Sequence, residues 1–157
     1  MTWFSRPKLS DTVNSSRFAS MAGLLKAGDH IVASNALFGS CIRILTKITA
    51  KWGIECTFVP GADLNAWEAA IKPNTKFLFC ESPSNPGLEL IDLPALAALK
   101  EGKDIILAVD NCFATPILQT PLDLGADLVI HSATKYIDGQ GRVLGGVICG
   151  KKVYIDE

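Results

Sequence analysis

Residues 105–135 read IILAVDNCFATPILQTPLDLGADLVIHSATK, and this stretch decides the fold. It holds two short runs, 105–109 (IILAV) and 127–131 (DLVIH). Each gives way at once to polar residues: Asp110-Asn111-Cys112 after the first, Ser132-Ala133-Thr134-Lys135 after the second. A run of apolar residues with no polar alternation is a strand buried on both faces, as in a parallel sheet between two helical layers. The same unit recurs outward from here. Residues 76–80 (KFLFC), 55–59 (ECTFV), 30–34 (HIVAS) and 143–149 (VLGGVIC) are further strands.

Helical patterns separate them. Apolar residues at 41, 44, 45, 48 and 52 predict one helix over 38–52, with Arg43, Lys47 and Lys51 on the opposite face and Gly53 as its stop. Asp63 can cap a helix carrying Leu64, Trp67 and Ile71 on one side. Asp92 and Pro94 open another that runs to about Lys100. A short helix is expected over 18–27, stopped by Gly28. Residues 1–17 are polar and aperiodic, and are expected to be a loose arm outside a domain of residues 18–157. Alternating strands and helices predict an α/β fold, a three-layer αβα sandwich with a mostly parallel sheet. In such sheets ligands bind beyond the carboxyl ends of the strands.

Composition narrows the classes. The 157 residues suit one domain with a sizeable core. Fifteen basic residues against sixteen acidic ones, a net charge of −1, argue against a nucleic-acid binder and against a polybasic membrane-surface module. Five cysteines at 41, 56, 80, 112 and 149 are never closer than fifteen residues, so no zinc or CxxC spacing exists. They are expected to be reduced thiols in a cytoplasmic protein. No apolar stretch reaches the ~18 residues of a membrane span, and residues 1–17 lack a signal-peptide shape. Two distant histidines, His30 and His131, make no metal site. Gly139-Gln140-Gly141 precedes a strand and not a helix, so it is no dinucleotide fingerprint.

The strand ends carry the chemistry. Lys135 either snorkels to solvent or is a desolvated amine able to form a Schiff base. Ser132 and Thr134 either satisfy their own turn or hold a phosphate. Asp110, after five apolar residues, must be hydrogen-bonded or paired. It either caps the following turn or keeps a pyridine nitrogen protonated. Asn85, in 81–86 (ESPSNP), is either a turn residue or a contact to a ring hydroxyl or a substrate carboxylate. Together they supply the parts needed for pyridoxal 5'-phosphate.

ESPSNP (81–86), VDNCFATP (109–116) and HSATKYIDGQGRVLGG (131–146) closely resemble the Cys/Met-metabolism family of pyridoxal-phosphate enzymes, from about Phe18 to the C-terminus. GQGRVLGG favours its sulfhydrylase branch. The resemblance implies part of a type I PLP-dependent transferase large domain. It implies Lys135 as the amine that holds the cofactor and moves protons, Asp110 on the ring nitrogen, Ser132 and Thr134 on the phosphate, and Asn85 on cofactor or substrate. Phe38, in NALFGS (35–40), stands where an aromatic ring stacks on the cofactor; the alternative is a core aromatic. The implied reaction is γ-replacement on O-succinylhomoserine by sulfide, giving homocysteine for methionine biosynthesis, by a homo-oligomer. The alternative is a non-catalytic remnant with a structural or interaction role.

Some features depart from the family. Relatives are much longer, so a shortened chain with impaired activity and a tendency to self-associate is expected. A phosphate-binding Gly-Met should fall at Val13-Asn14, and Arg17 stands where relatives carry an apolar helix residue.

Overall fold

The computed structural model describes residues 8–156. Seven strands form one sheet: β1 (Lys8–Ser10), β2 (His30–Ser34), β3 (Glu55–Val59), β4 (Thr75–Glu81), β5 (Ile106–Asp110), β6 (Leu128–Ser132) and β7 (Gly146–Gly150), in the order β1-β7-β6-β5-β4-β2-β3. Strands β2 to β6 run parallel, whereas β7 is antiparallel to β6 and β1 antiparallel to β7. The mostly parallel expectation holds.

Side-chain alternation explains the layers. Phe77 and Phe79 of β4 point to one face with Ile31, Ile106, Ala108, Leu128 and Ile130. Leu78 and Cys80 point to the other with Val32, Leu107 and Val109. Both sets are apolar, so both faces need a helical cover. The first receives α1 (Val13–Ala22), the wound segment that begins with α2 (Gly39–Arg43), and the short C-terminal helix after β7. The second receives α3 (Leu64–Ala70), which buries Trp67, and α4 (Leu93–Ala98), which buries Leu93 and Leu96. Asp63 and Asp92 cap these two, each accepting the backbone N–H three residues on, at 3.1 and 3.0 Å. A one-turn helix, α5 (Thr115–Leu118), lies between β5 and β6, and α6 (Lys152–Ile155) follows β7. The result is the αβα sandwich.

Two local expectations differ. The helix expected at 18–27 starts five residues earlier, at Val13, and ends at Ala22. Residues 8–10 form an edge strand, so the part of the arm that is described is packed onto the body; residues 1–7 lie outside the described residues. The reason is that the inward face of α1 is largely polar. Ser16, Arg17, Ser20 and Met21 are its buried residues, and Thr12 caps it by accepting from the Ser15 N–H at 3.1 Å. A search for apolar periodicity passes over such a face. The single helix expected over 38–52 is instead α2, a π-helical turn (Ile44–Ile48) and a 3-10 turn (Thr49–Trp52) ending at Gly53 with φ 74°. Thr46 and Thr49 donate back to the carbonyls of Ile42 and Leu45, at 2.8 and 2.9 Å, which bends helices. The apolar spacing still delivers Cys41, Ile44 and Leu45 to the core.

Candidate functional site

The three polar strand ends are neighbours. β4 pairs with β5 and β5 with β6, with Glu81 opposite Asp110 and Asp110 opposite Ile130. Beyond these ends lies a cleft of about 200 Å³. Phe38, Asn85, Ser132, Thr134 and Lys135 line it, all from the predicted set, with Thr12 to Asn14 at the start of α1 as part of its wall. Asp110 does not line the cleft; Arg17 does.

Arg17 reaches this place from the second turn of α1. The helix start is held close to β7 because position 146 is glycine. A Cβ there would stand 2.4 Å from Ser16 Oγ and 2.6 Å from the Thr12 carbonyl. From this anchorage the Arg17 side chain, 3% exposed, turns inward over the sheet edge. Its Nε donates to Asp110 Oδ2 at 2.5 Å. One terminal nitrogen donates to Asn14 Oδ1 at 3.0 Å; the other lies 3.7 Å from Cys112 Sγ and 3.9 Å from Glu81 Oε1. The guanidinium carbon stands 5.6 Å from the centre of the Phe38 ring, a cation–π arrangement.

Asp110 is fully buried, and both its oxygens are engaged: Oδ2 by Arg17 and Oδ1 by the Cys112 N–H at 3.2 Å. Glu81, also buried, accepts the Phe38 N–H at Oε2 across 2.8 Å, while its Oε1 has no hydrogen-bond partner. Burial first, and then the negative charge of Asp110, push the Glu81 carboxyl up to about 7, against the pull of the Phe38 N–H, Arg17 and Lys135. For Arg17, burial opposes the charge, yet Asp110 and the nearby Cys41 and Cys112 more than offset it. Its pKa lies above the ordinary arginine value.

Lys135 sits in a π-helical turn (Ala133–Ile137) directly after β6. It is exposed at the cleft rim, the solvent-reaching one of its two alternatives; a strand end running into a surface turn leaves the long side chain free to reach water. Ser132 is buried and its Oγ has no hydrogen-bond partner. Thr134 is half-buried, and its hydroxyl accepts the Gly145 N–H at 3.1 Å, so it already serves a backbone turn. Asn85 is half-buried; Phe38 is 41% exposed and belongs to the site wall more than to the core. His30 bridges Thr57 and Thr75, each at 2.8 Å, within the sheet. Among the described residues, no group of three His, Cys, Asp or Glu side chains could hold a metal ion.

Pyridoxal phosphate needs an amine for its aldehyde, hydrogen bonds for its phosphate and a carboxylate for its ring nitrogen. The cleft meets the first two: Lys135 reaches it, and the orphaned Ser132 Oγ is a buried donor awaiting an acceptor. The third is not met with Arg17 in place, because neither oxygen of Asp110 is free. Arg17, Glu81 and Cys112 were not among the predicted site residues. A signal for Arg17 was available: it lies four residues before the buried Met21, on the same face of the helix.

Residues 12–157 match the family model described as Cys/Met metabolism PLP-dependent enzyme. O-succinylhomoserine sulfhydrylase of Pseudomonas aeruginosa is 56% identical over 133 residues, 85% of this chain and 33% of that protein. L-methionine gamma-lyase of Treponema denticola is 43% identical, over 85% of this chain and 34% of that protein. The structure of cystathionine gamma-lyase from Lactobacillus plantarum complexed with L-serine superposes with a TM-score of 0.91 at 36% identity, over 97% of this chain and 40% of that one. The chain thus spans about a third of the length of the curated relatives it matches.

Proposed function

Since the chain belongs to the Cys/Met metabolism family of PLP-dependent enzymes, we propose that it binds pyridoxal phosphate in the cleft beyond β6, with Lys135 as the anchoring amine. The observation that carries this reading is the pairing, in one cleft, of the Lys135 amine with the buried, unpartnered hydroxyl of Ser132. Ser132, with Thr134 beside it, holds the phosphate. Phe38 offers a ring face for stacking. Asn85 orients the cofactor or the substrate carboxylate, and Asp110 is the acid that would serve the ring nitrogen once Arg17 no longer occupies it. When bound, the cofactor supplies the electron sink for loss of an amino acid's α-proton.

The finer reading is sulfhydrylase chemistry: sulfide replaces succinate on the γ-carbon of O-succinylhomoserine, giving homocysteine and succinate. It is supported by the name of the 56%-identical relative. Lys135 is the residue that would carry protons between substrate carbons, and its place at the rim gives it reach. The substrate is a small amino acid, the assembly a homo-oligomer and the setting the cytoplasm. All five thiols are free, and among the described residues no helix is long and apolar enough to cross a membrane.

A second reading, a folded chain with a structural or interaction role and no catalysis, is favoured by the occupation of Asp110 by Arg17. One experiment separates them. The chain is incubated with pyridoxal phosphate, reduced with borohydride and mapped by mass spectrometry, with Lys135→Ala as control. A label on Lys135 that the control loses supports cofactor binding; its absence supports the second reading.

A further inference from the structure

We propose that Arg17 is a resident stand-in for the cofactor's pyridinium, so that pyridoxal phosphate reaches Asp110 only by displacing it. This rests on the cofactor reading above. Two separate contacts carry it. The first is to Asp110: a protonated ring nitrogen offers one cationic N–H to a carboxylate oxygen, and Arg17 Nε already offers one to Oδ2 at 2.5 Å while the Cys112 N–H takes Oδ1. The second is to Phe38, whose ring is the stacking face for a pyridine and here stands 5.6 Å from the planar guanidinium. One flat cation thus holds both the acid and the aromatic face.

Charge accounts for its presence. Glu81 and Asp110 are buried side by side on adjacent strands, and two uncompensated carboxylates there are costly. Arg17 supplies the missing cation from within the chain. Once displaced, it has an acceptor waiting, since Glu81 Oε1 lies 3.9 Å from one of its terminal nitrogens and has no hydrogen-bond partner. A ring nitrogen would therefore gain Asp110 only if the guanidinium left it for Glu81, and with Arg17 in place the cofactor would bind without that hydrogen bond.

The test compares the full chain with Arg17→Met, using pyridoxal phosphate and its analogue with CH in place of the ring nitrogen. Binding is read by absorbance titration and by borohydride-fixed label on Lys135. The expected result is that the wild-type chain binds the two compounds alike, because Arg17 keeps the nitrogen from Asp110. Arg17→Met should bind pyridoxal phosphate about tenfold more tightly or better, and prefer it over the analogue, since a charge-assisted hydrogen bond is worth that factor. Equal binding of pyridoxal phosphate by both chains, or a wild-type preference for the nitrogen-containing compound, overturns the stand-in and leaves the cofactor reading intact. No label on either chain overturns both. If Arg17→Met does not fold, Arg17→Met/Glu81→Gln, with one buried carboxylate fewer, is measured against Glu81→Gln, with the same outcomes.

Discussion

Arg17 Nε donates to Asp110 Oδ2 at 2.5 Å across 93 positions of sequence, joining the second turn of α1 to the carboxyl end of β5. Neither side chain is more than 3% exposed. The contact is at once a tie between helix and sheet and the occupant of the acid expected to serve a cofactor.

Breaking this pair from one side strands a charge. Arg17→Met should lower the unfolding free energy by about 3–5 kcal/mol, the usual cost of removing one partner of a buried ion pair. Urea denaturation followed by circular dichroism measures it. A loss below about 1 kcal/mol, the range of exposed pairs, would show that water reaches the site.

Glu81 gives a pH dependence of definite sign. Its carboxyl titrates at about 7 in the folded chain against 4.5 for an ordinary glutamate. Between those values the folded state holds a proton that the unfolded state has lost. Stability therefore falls as pH rises from about 4.5 through about 7. Glu81→Gln should flatten that slope, and urea midpoints across the range for both proteins check it. Parallel curves would contradict the assignment.

Asp127 acts in the opposite sense. Its carboxylate accepts from Lys100 and Lys151, each at 2.5 Å, and from the Leu107 N–H at 2.8 Å, tying the start of β6 to β5, to the turn after α4 and to the residue after β7. Burial alone would raise its pKa, but these three donors outweigh burial and hold it below the ordinary 3.8. Its contribution is present above that value and lost as pH falls through the folded pKa. Asp127→Asn should cost about 2–3 kcal/mol near neutrality, the scale of hydrogen bonds to a charge. The gap to wild type should narrow in acid. A gap that stays constant with pH would rule out an ionic origin.

Gly146 tests the seat of α1. Alanine there puts a Cβ 2.6 Å from the Thr12 carbonyl and 2.7 Å from Val13 Cα, backbone atoms that cannot rotate away. Gly146→Ala should cost about 1–3 kcal/mol by overpacking. By pushing the start of α1 off the sheet it should also loosen Arg17 from Asp110, seen as faster amide exchange at Ser16 and Arg17. Unchanged stability and exchange would mean that the helix does not depend on this close approach.

The sheet was readable because its signals are local. The runs HIVAS and ECTFV coincide with β2 and β3, and Asp63 and Asp92 cap α3 and α4 as their spacing suggests. Residues 76–80, 105–109 and 127–131 each lie within one residue of β4, β5 and β6 at either end. α1 was misplaced because its buried face is serine and arginine, which carry no apolar period. The cleft residues Phe38, Asn85, Ser132, Thr134 and Lys135 were legible as strand-end and loop residues. For Thr134 and Lys135 the sequence left two alternatives each, and what packs against the turn after β6 selects the turn-serving hydroxyl and the solvent-reaching amine here.

By itself, the amino-acid sequence determined an alternating α/β chain whose polar chemistry sits at three strand ends, because strand length, caps and turns are settled by neighbours a few positions away. Only the tertiary structure decided who meets Asp110. A buried carboxylate takes whichever cation the fold brings within hydrogen-bond reach, and here packing α1 on β7 brings Arg17.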